Sequence, residues 1–268
     1  MRYACHLRIG YVRDIGLVVG TTKRYAVVSC HVERLLADEV WRRYRALLEA
    51  RPGGFRVASL VRPPDPGAGE SELLWVERAR VLEELGPLGH HTHWTGPGHA
   101  RPTGGDTGER VRREGAWLRS QGLEPTLFVG GGWYTDASVA AACAELGYAD
   151  CTPRATRPPY LDAGDAWTEL AEPCRVDLLG GASLLALPTT HSIGDLLRRV
   201  WRTHGFVHVY FHDTDLLERS RRLAVMAALR VLGPTARVMD LDGLRHAHVA
   251  ATRTWSEIAR GEAAGEPK

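Results

Sequence analysis

Lysine is nearly absent from this 268-residue chain: of its 34 basic side chains only Lys23 and Lys268 are lysines. The arginines are opposed by 32 acidic residues, leaving a formal charge of +2, so no net field draws the chain toward nucleic acid. Beside abundant Ala, Gly, Leu and Val, the arginine excess reads as a GC-rich coding bias. Cysteine is also scarce. Cys5, Cys30, Cys143, Cys151 and Cys174 are odd in number and contain no C-x-x-C pair, which excludes a disulfide framework and a zinc ribbon. Long hydrophobic runs are missing. Stretches such as Leu184 to Pro188 and Leu223 to Leu229 fall far short of the ~20 residues that span a bilayer. His6, Arg8, Arg13 and Asp14 interrupt the apolar core that a secretory signal would need. These absences predict a cytoplasmic protein with neither a membrane nor a nucleic-acid partner; they leave its oligomeric state open.

What is present is ordinary globular material, 44% hydrophobic and 25% charged, enough for one large domain with its own core. Apolar, β-branched runs alternate with segments of helical periodicity. Residues 24–30, 55–61, 88–94, 126–130, 148–151, 183–187 and 206–211 read as strands. Residues 35–50, 71–85, 108–120, 136–146, 193–203 and 216–232 read as helices. No internal repeat is visible, and residues 153–174 form an irregular stretch rich in Pro, Asp and Gly. Strands alternating with helices of 10 to 15 residues predict a parallel α/β architecture, and the number of units favours a (β/α) barrel over an open sheet. Residues 1–22 then form an N-terminal extension of uncertain role, 23–260 one catalytic barrel, and 261–268 a flexible tail.

Histidine is distributed unevenly. His90, His91, His93 and His99 lie within ten residues, and His204, His208 and His212 within nine. On a strand His91 and His93 project to one side, as do His31 and Glu33 at the end of the first strand. Both pairs sit at C-terminal strand ends, which converge on one mouth of a parallel barrel. Imidazoles with a carboxylate make up the ligand set of a catalytic divalent ion with an open water position. Any one of these histidines taken alone is more simply a solvated surface residue; their grouping is what points to a metal.

Three segments in order, Gly89-His-His-Thr-His-Trp94, Phe128-Val-Gly-Gly-Gly-Trp-Tyr134 and Val209-Tyr-Phe-His212, resemble the motifs of the NodB-type polysaccharide deacetylases. The resemblance runs from about residue 24 to 240. It implies an irregular (β/α) barrel of about seven parallel strands and metal-dependent hydrolysis of an amide. In that family the first strand ends in an Asp base with a metal-binding Asp nearby. Here the run Ser29-Cys30-His31-Val32-Glu33 puts His31 in the base position and makes Glu33 the carboxylate ligand. The family's two ligand histidines are commonly four apart, but Thr95 stands four after His91, so His93 takes the second position. Val129 stands where the family has an arginine that orients its base. Arg157, in Arg157-Pro-Pro-Tyr160, could reach the site from another loop, or that run could be a rigid proline turn.

The resemblance also makes His212 the general acid, with Asp213 or Asp215 to orient it. The full expectation is therefore His31, His212 and Asp215 as catalytic residues and Glu33, His91 and His93 as metal ligands. Trp94, Trp133, Tyr134, Arg157, Tyr160 and His191 would bind substrate, the aromatics by stacking on a sugar ring. The cofactor would be a divalent ion, zinc first, with nickel, cobalt or manganese as alternatives. The substrate would be a small molecule or glycan bearing an N-acyl group. The same barrel could instead hydrolyse another C–N bond, in a cyclic amide or ureide, or be a catalytically silent glycan-binding form.

Overall fold

The computed structural model describes residues 24–264 apart from 97, 99, 200–204 and 248. The N-terminal extension, His99, His204 and the last four residues of the tail thus lie outside the described residues. In chain order, β1 (Tyr25–Val32) leads to α1 (Asp38–Ala50), β2 (Ala58–Val61), α2 (Glu72–Leu85), β3 (Leu88–Thr92), α3 (Thr107–Ser120), β4 (Leu127–Gly130), α4 (Ala137–Glu145) and β5 (Ala149–Asp150). Side-chain caps start the helices where the sequence places them: Ser71, Asp106 and Asp136 accept from the N–H of Leu74, Glu109 and Val139, donors the first turn would otherwise leave unpaired. Helix α1 buries the stripe Val40, Tyr44, Leu47 and Leu48. Full burial of a large apolar side chain contributes roughly 1.5–3 kcal/mol.

The irregular stretch holds short strands that periodicity did not reveal. β6 (Trp167–Thr168) and β7 (Cys174–Asp177) precede β8 (Ser183–Ala186), β9 (His191–Ser192), α5 (Ile193–Arg199), β10 (Phe206–His212) and α6 (Arg219–Thr235). After these come β11 (Arg237–Val238), α7 (Leu241–Arg245), β12 (Thr252–Thr254), α8 (Trp255–Ile258) and β13 (Ala259–Arg260). β7 is antiparallel to β8, and β12 joins its outer edge. Gly261–Ala264, assigned to the tail from sequence, forms a short 3-10 turn with Ala263 buried and its carbonyl accepting from Trp255 Nε1.

The ring is parallel throughout. β10, β1, β2, β3, β4, β5 and β8 pair in that order. The chain from β8 to β9 completes it. Thr189 N–H donates to the Pro153 carbonyl beyond β5 at 2.8 Å, Thr190 N–H donates to the His208 carbonyl at 3.0 Å, and β9 then pairs with β10. One kinked segment thus serves as two short strands and bridges β5 to β10. This is the irregular barrel of about seven strands, closed by a crossing segment where a regular strand would stand.

Strand alternation divides the core into layers. Ala26, Val28, Cys30 and Val32 of β1 face out and pack with Leu47, Trp75, Leu82 and Leu229 of the surrounding helices. Val27 faces in, with Ala58, Leu60, Leu127, Val129, Ala149 and Leu187. That second set fills the barrel, so Ser29, His31 and Glu33 continue the inward row toward the mouth.

Candidate metal centre and active site

Glu33 lies in the turn after β1, and its backbone is held on two sides. The Arg62 guanidinium donates to the Glu33 carbonyl at 3.2 Å, and the next N–H, that of Arg34, donates to Asp213 Oδ2 at 2.8 Å. At the end of β3 the four residues 90–93 split by alternation. His90 and Thr92 face α3 and both meet Glu114 Oε2, at 2.9 and 3.0 Å. His91 and His93 face the barrel axis, where Glu33 Oε1 lies 3.9 Å from His91 Nε2 and 3.5 Å from His93 Nε2.

The ligand atoms of Glu33, His91 and His93 all lie within 4.8 Å of one another, and these residues could hold a metal ion. Two observations test the fit. Donors about 2.1 Å from a tetrahedral ion are about 3.4 Å from each other, and the two imidazole Nε2 atoms here are 3.2 Å apart. Second, His91 Nδ1 lies 3.1 Å from the Val129 carbonyl. A carbonyl only accepts, so Nδ1 carries the proton and Nε2 keeps its lone pair on the Glu33 side, the tautomer a metal ligand needs. Burial opposes ionisation of Glu33, but the surrounding imidazoles of His91, His93 and His212 outweigh it and hold the carboxyl well below its ordinary range. Burial also lowers the imidazole of His91 to about 4, against the pull of Glu33, so its lone pair is free at neutral pH.

His212, at the end of β10 and directly paired with His31 of β1, closes the ring of imidazoles. Its Nε2 is 3.6 Å from Glu33 Oε1. Asp215 accepts from the His212 backbone N–H at 2.9 Å and lies 3.9 Å from Nδ1, while its other oxygen takes a bond from Arg221. His31 sits deeper, 4% exposed, with ring centroids of His91, Trp133, Tyr210 and His212 at 4.9, 5.2, 5.1 and 5.2 Å. Its Nε2 has no hydrogen-bond partner among the described residues. Burial pushes His31 well below its usual range, and His91 and His212 push the same way; the ring is neutral at pH 7.

Trp133 reaches His31 through an unusual backbone. Gly132 and Trp133 both have positive φ, 60° and 56°, a conformation costly for a bulky residue. A Cβ at Gly131 would stand 2.5 Å from the Thr92 carbonyl oxygen. The glycine run is therefore required by close passage of the loop beneath the β3 terminus, and the strain aims the indole inward.

The remaining predicted residues divide. Trp94 is buried in the outer core, its Nε1 donating to the Gly131 carbonyl and its ring 5.2 Å from that of Tyr134. Tyr134 donates to Asp136. Both support the loop that carries Trp133; neither is the open stacking wall expected of them. Arg157 is exposed, and its guanidinium is used on the Leu161 carbonyl of its own loop. Tyr160 is 59% exposed. His191 Nδ1 is hydrogen-bonded with Thr190 Oγ1 at 2.7 Å. Two residues the sequence did not single out join the site instead. Tyr210 stacks on His31, and the guanidinium of Arg154 lies 4.3 Å from the Trp133 ring centre and 5.0 Å from that of Tyr210. Tyr210 was readable from the i, i+2 alternation with His208 and His212; nothing local marked Arg154.

Two cavities of small-molecule size flank the cluster. One of about 470 Å³ opens beside His93 and is lined by Arg62, Arg110, Arg113, Glu114 and Trp117. The other, about 290 Å³, lies beside His212 and Asp215 against Ile193, Leu197, Phe211 and Val225. Among the described residues no helix is long and apolar enough to cross a membrane.

No protein-family model and no curated protein matches the sequence. Among solved structures, the 4-alpha-glucanotransferase of Thermococcus litoralis is similar over 86% of this chain, with a TM-score of 0.54 and 10% identity. The chain spans 39% of that protein's length, and the likeness is one of fold. A family 4 carbohydrate esterase from Streptomyces lividans, solved with acetate, overlaps 84% of this chain and 91% of its own at 11% identity, with a TM-score of 0.40.

Proposed function

We infer that this chain is a metal-dependent amide hydrolase that removes an N-acyl group, with acetyl the first expectation, from an amino sugar or a sugar-containing metabolite. The observation that carries the reading is the convergence of Glu33, His91 and His93 donors within 4.8 Å at the mouth where parallel barrels place their chemistry. The resemblance of the same segments to NodB-type deacetylases supports the choice of bond.

Glu33, His91 and His93 would hold the divalent ion, and when bound it would supply positive charge to polarise the scissile carbonyl and acidify the attacking water. His31, neutral and with an uncommitted Nε2, takes the proton of that water. His212 returns a proton to the departing nitrogen from Nε2, while Asp215, bonded to its backbone N–H, fixes the strand end that carries it. Trp133 and Tyr210 wall the His31 side and keep bulk water from the reacting centre. The test is metal analysis of the purified protein, followed by acyl release from N-acetylglucosamine, its short oligomers and other N-acylated sugars. One ion per chain with release that stops on chelation is the expected result. A metal-free protein, or a metal-loaded one that turns over only cyclic amides or nothing, overturns the reading.

A further inference from the structure

Arg154 stands apart from the rest of the site. The strand-like chain after β5 turns it inward, and its backbone is fixed on both sides: its N–H donates to the Thr168 carbonyl at 3.0 Å, and its carbonyl accepts from Leu170 at 2.8 Å. The residue is 7% exposed, yet among the described residues its Nε and Nη1 have no hydrogen-bond partner, and the Asp195 carboxylate acts on the guanidinium only through space, without an ion-pair contact. Burying a guanidinium without a counter-ion is costly. Burial weakens its hold on the proton, but an arginine stays charged. Among the described residues the guanidinium thus stands without a hydrogen-bonded counter-ion against Trp133 and Tyr210, one aromatic ring away from His31.

A guanidinium offers parallel N–H donors matched to the two oxygens of a carboxylate. One guanidinium balances a monoanion; a phosphate dianion would call for further donors. We propose that Arg154 receives a carboxylate carried by the substrate, so that the acyl compound processed at the Glu33, His91 and His93 site is an acid. This deepens the function inferred above and rests on it. Trp133 and Tyr210 hold the guanidinium by cation–π contact and set its distance from the cluster. A neutral amino sugar would leave Arg154 unpaired and bind poorly, while an acylated sugar acid or acylated amino acid would fill both sites.

The experiment compares each acid with a neutral counterpart: N-acetylglycine against N-acetylglycinamide, and glucuronate against glucose. Binding is titrated by NMR on wild type, Arg154→Gln and Arg154→Lys, with a melting curve for each protein. A charge-assisted bidentate bond predicts that at least one acid binds wild type on the order of tenfold more tightly than its neutral partner. The preference should vanish in Arg154→Gln and survive in part in Arg154→Lys, and the pair that shows it tells an amino-acid carboxylate from a sugar one. No preference in wild type overturns the proposal whether or not the Gln variant folds, and so does an equal preference in a folded Arg154→Gln. Zinc titration of the same samples reads the metal site independently. Intact zinc binding without acid preference defeats this proposal alone, and acid preference without zinc binding defeats the hydrolase reading alone.

Discussion

Stripping and restoring the metal should change the stability of the fold by an amount the site geometry predicts. The Nε2 atoms of His91 and His93 are already 3.2 Å apart, with Glu33 3.5 Å from the second, so binding has little ordering to accomplish. A ligand that binds the folded state alone stabilises it by RT ln(1 + [L]/Kd), about 2.7 kcal/mol at a hundredfold excess over Kd and about 4 kcal/mol at a thousandfold. In a domain of this size one kcal/mol moves Tm by about 2–4 °C, giving an expected rise of roughly 5–15 °C on adding zinc to chelator-treated protein. The twelve histidines also bind ions in the unfolded chain, which trims the rise but acts alike in the variants. Glu33→Gln keeps the shape and removes the charge, and most of the rise should go; His91→Ala with His93→Ala should remove all of it. Differential scanning calorimetry on the three proteins, with zinc, nickel, cobalt and manganese in turn, is the assay. No rise with any ion in wild type, or the same rise in the double variant, refutes the argument from geometry.

His212→Ala should lower kcat on the order of 100-fold if Nε2 donates to the leaving nitrogen, with little change in Tm, because the side chain is 37% exposed; a large loss of Tm at unchanged kcat would make it a packing residue. His31→Ala should lower kcat to a similar degree. Since burial holds the wild-type imbalance of charge at His31 toward the neutral form, the acidic limb of kcat/KM should fall below the ordinary imidazole range; full activity in His31→Ala removes it from the mechanism. Asp150 is fully buried and burial raises its carboxyl from 3.8 to about 6. The folded state then binds this proton more tightly than the unfolded chain, so the group adds nothing below about pH 4 and costs roughly 3 kcal/mol above pH 6. Asp150→Asn, whose amide oxygen can still accept the Thr152 N–H, should stabilise the protein at pH 8 and leave it unchanged at pH 4 in urea unfolding; equal or lower stability at pH 8 counts against this.

Much of this molecule was legible residue by residue because the relevant physics is local. A strand alternates sides every residue, so His91 and His93 had to share a face, as did His31 and Glu33, and the structure brings both pairs together. Periodicity likewise placed α1 to α4 and the strands between them to within a few residues. Contacts made across the barrel carry no such local signature. The short strands β6 and β7 exist only because distant partners pair with them, β13 with the first and β8 and β12 with the second, and the kinked closure by 183–192 only because β5 and β10 present carbonyls to it. Four aromatic and arginine assignments turned on the same point. Trp94 and Trp133 look equivalent in sequence, yet the first is turned outward into the helix layer and the second is forced inward by positive φ after three glycines. Arg154 and Arg157 are three residues apart on one loop; only the pairing of the chain at Arg154 with Thr168 and Leu170 decides that the first enters the barrel mouth and the second stays in solvent. Composition and periodicity determined which elements form and which side chains share a face. Which of those faces meet, and which cation ends up buried beside the histidines, was decided by tertiary pairing, because register between distant strands depends on hydrogen bonds that no single segment contains.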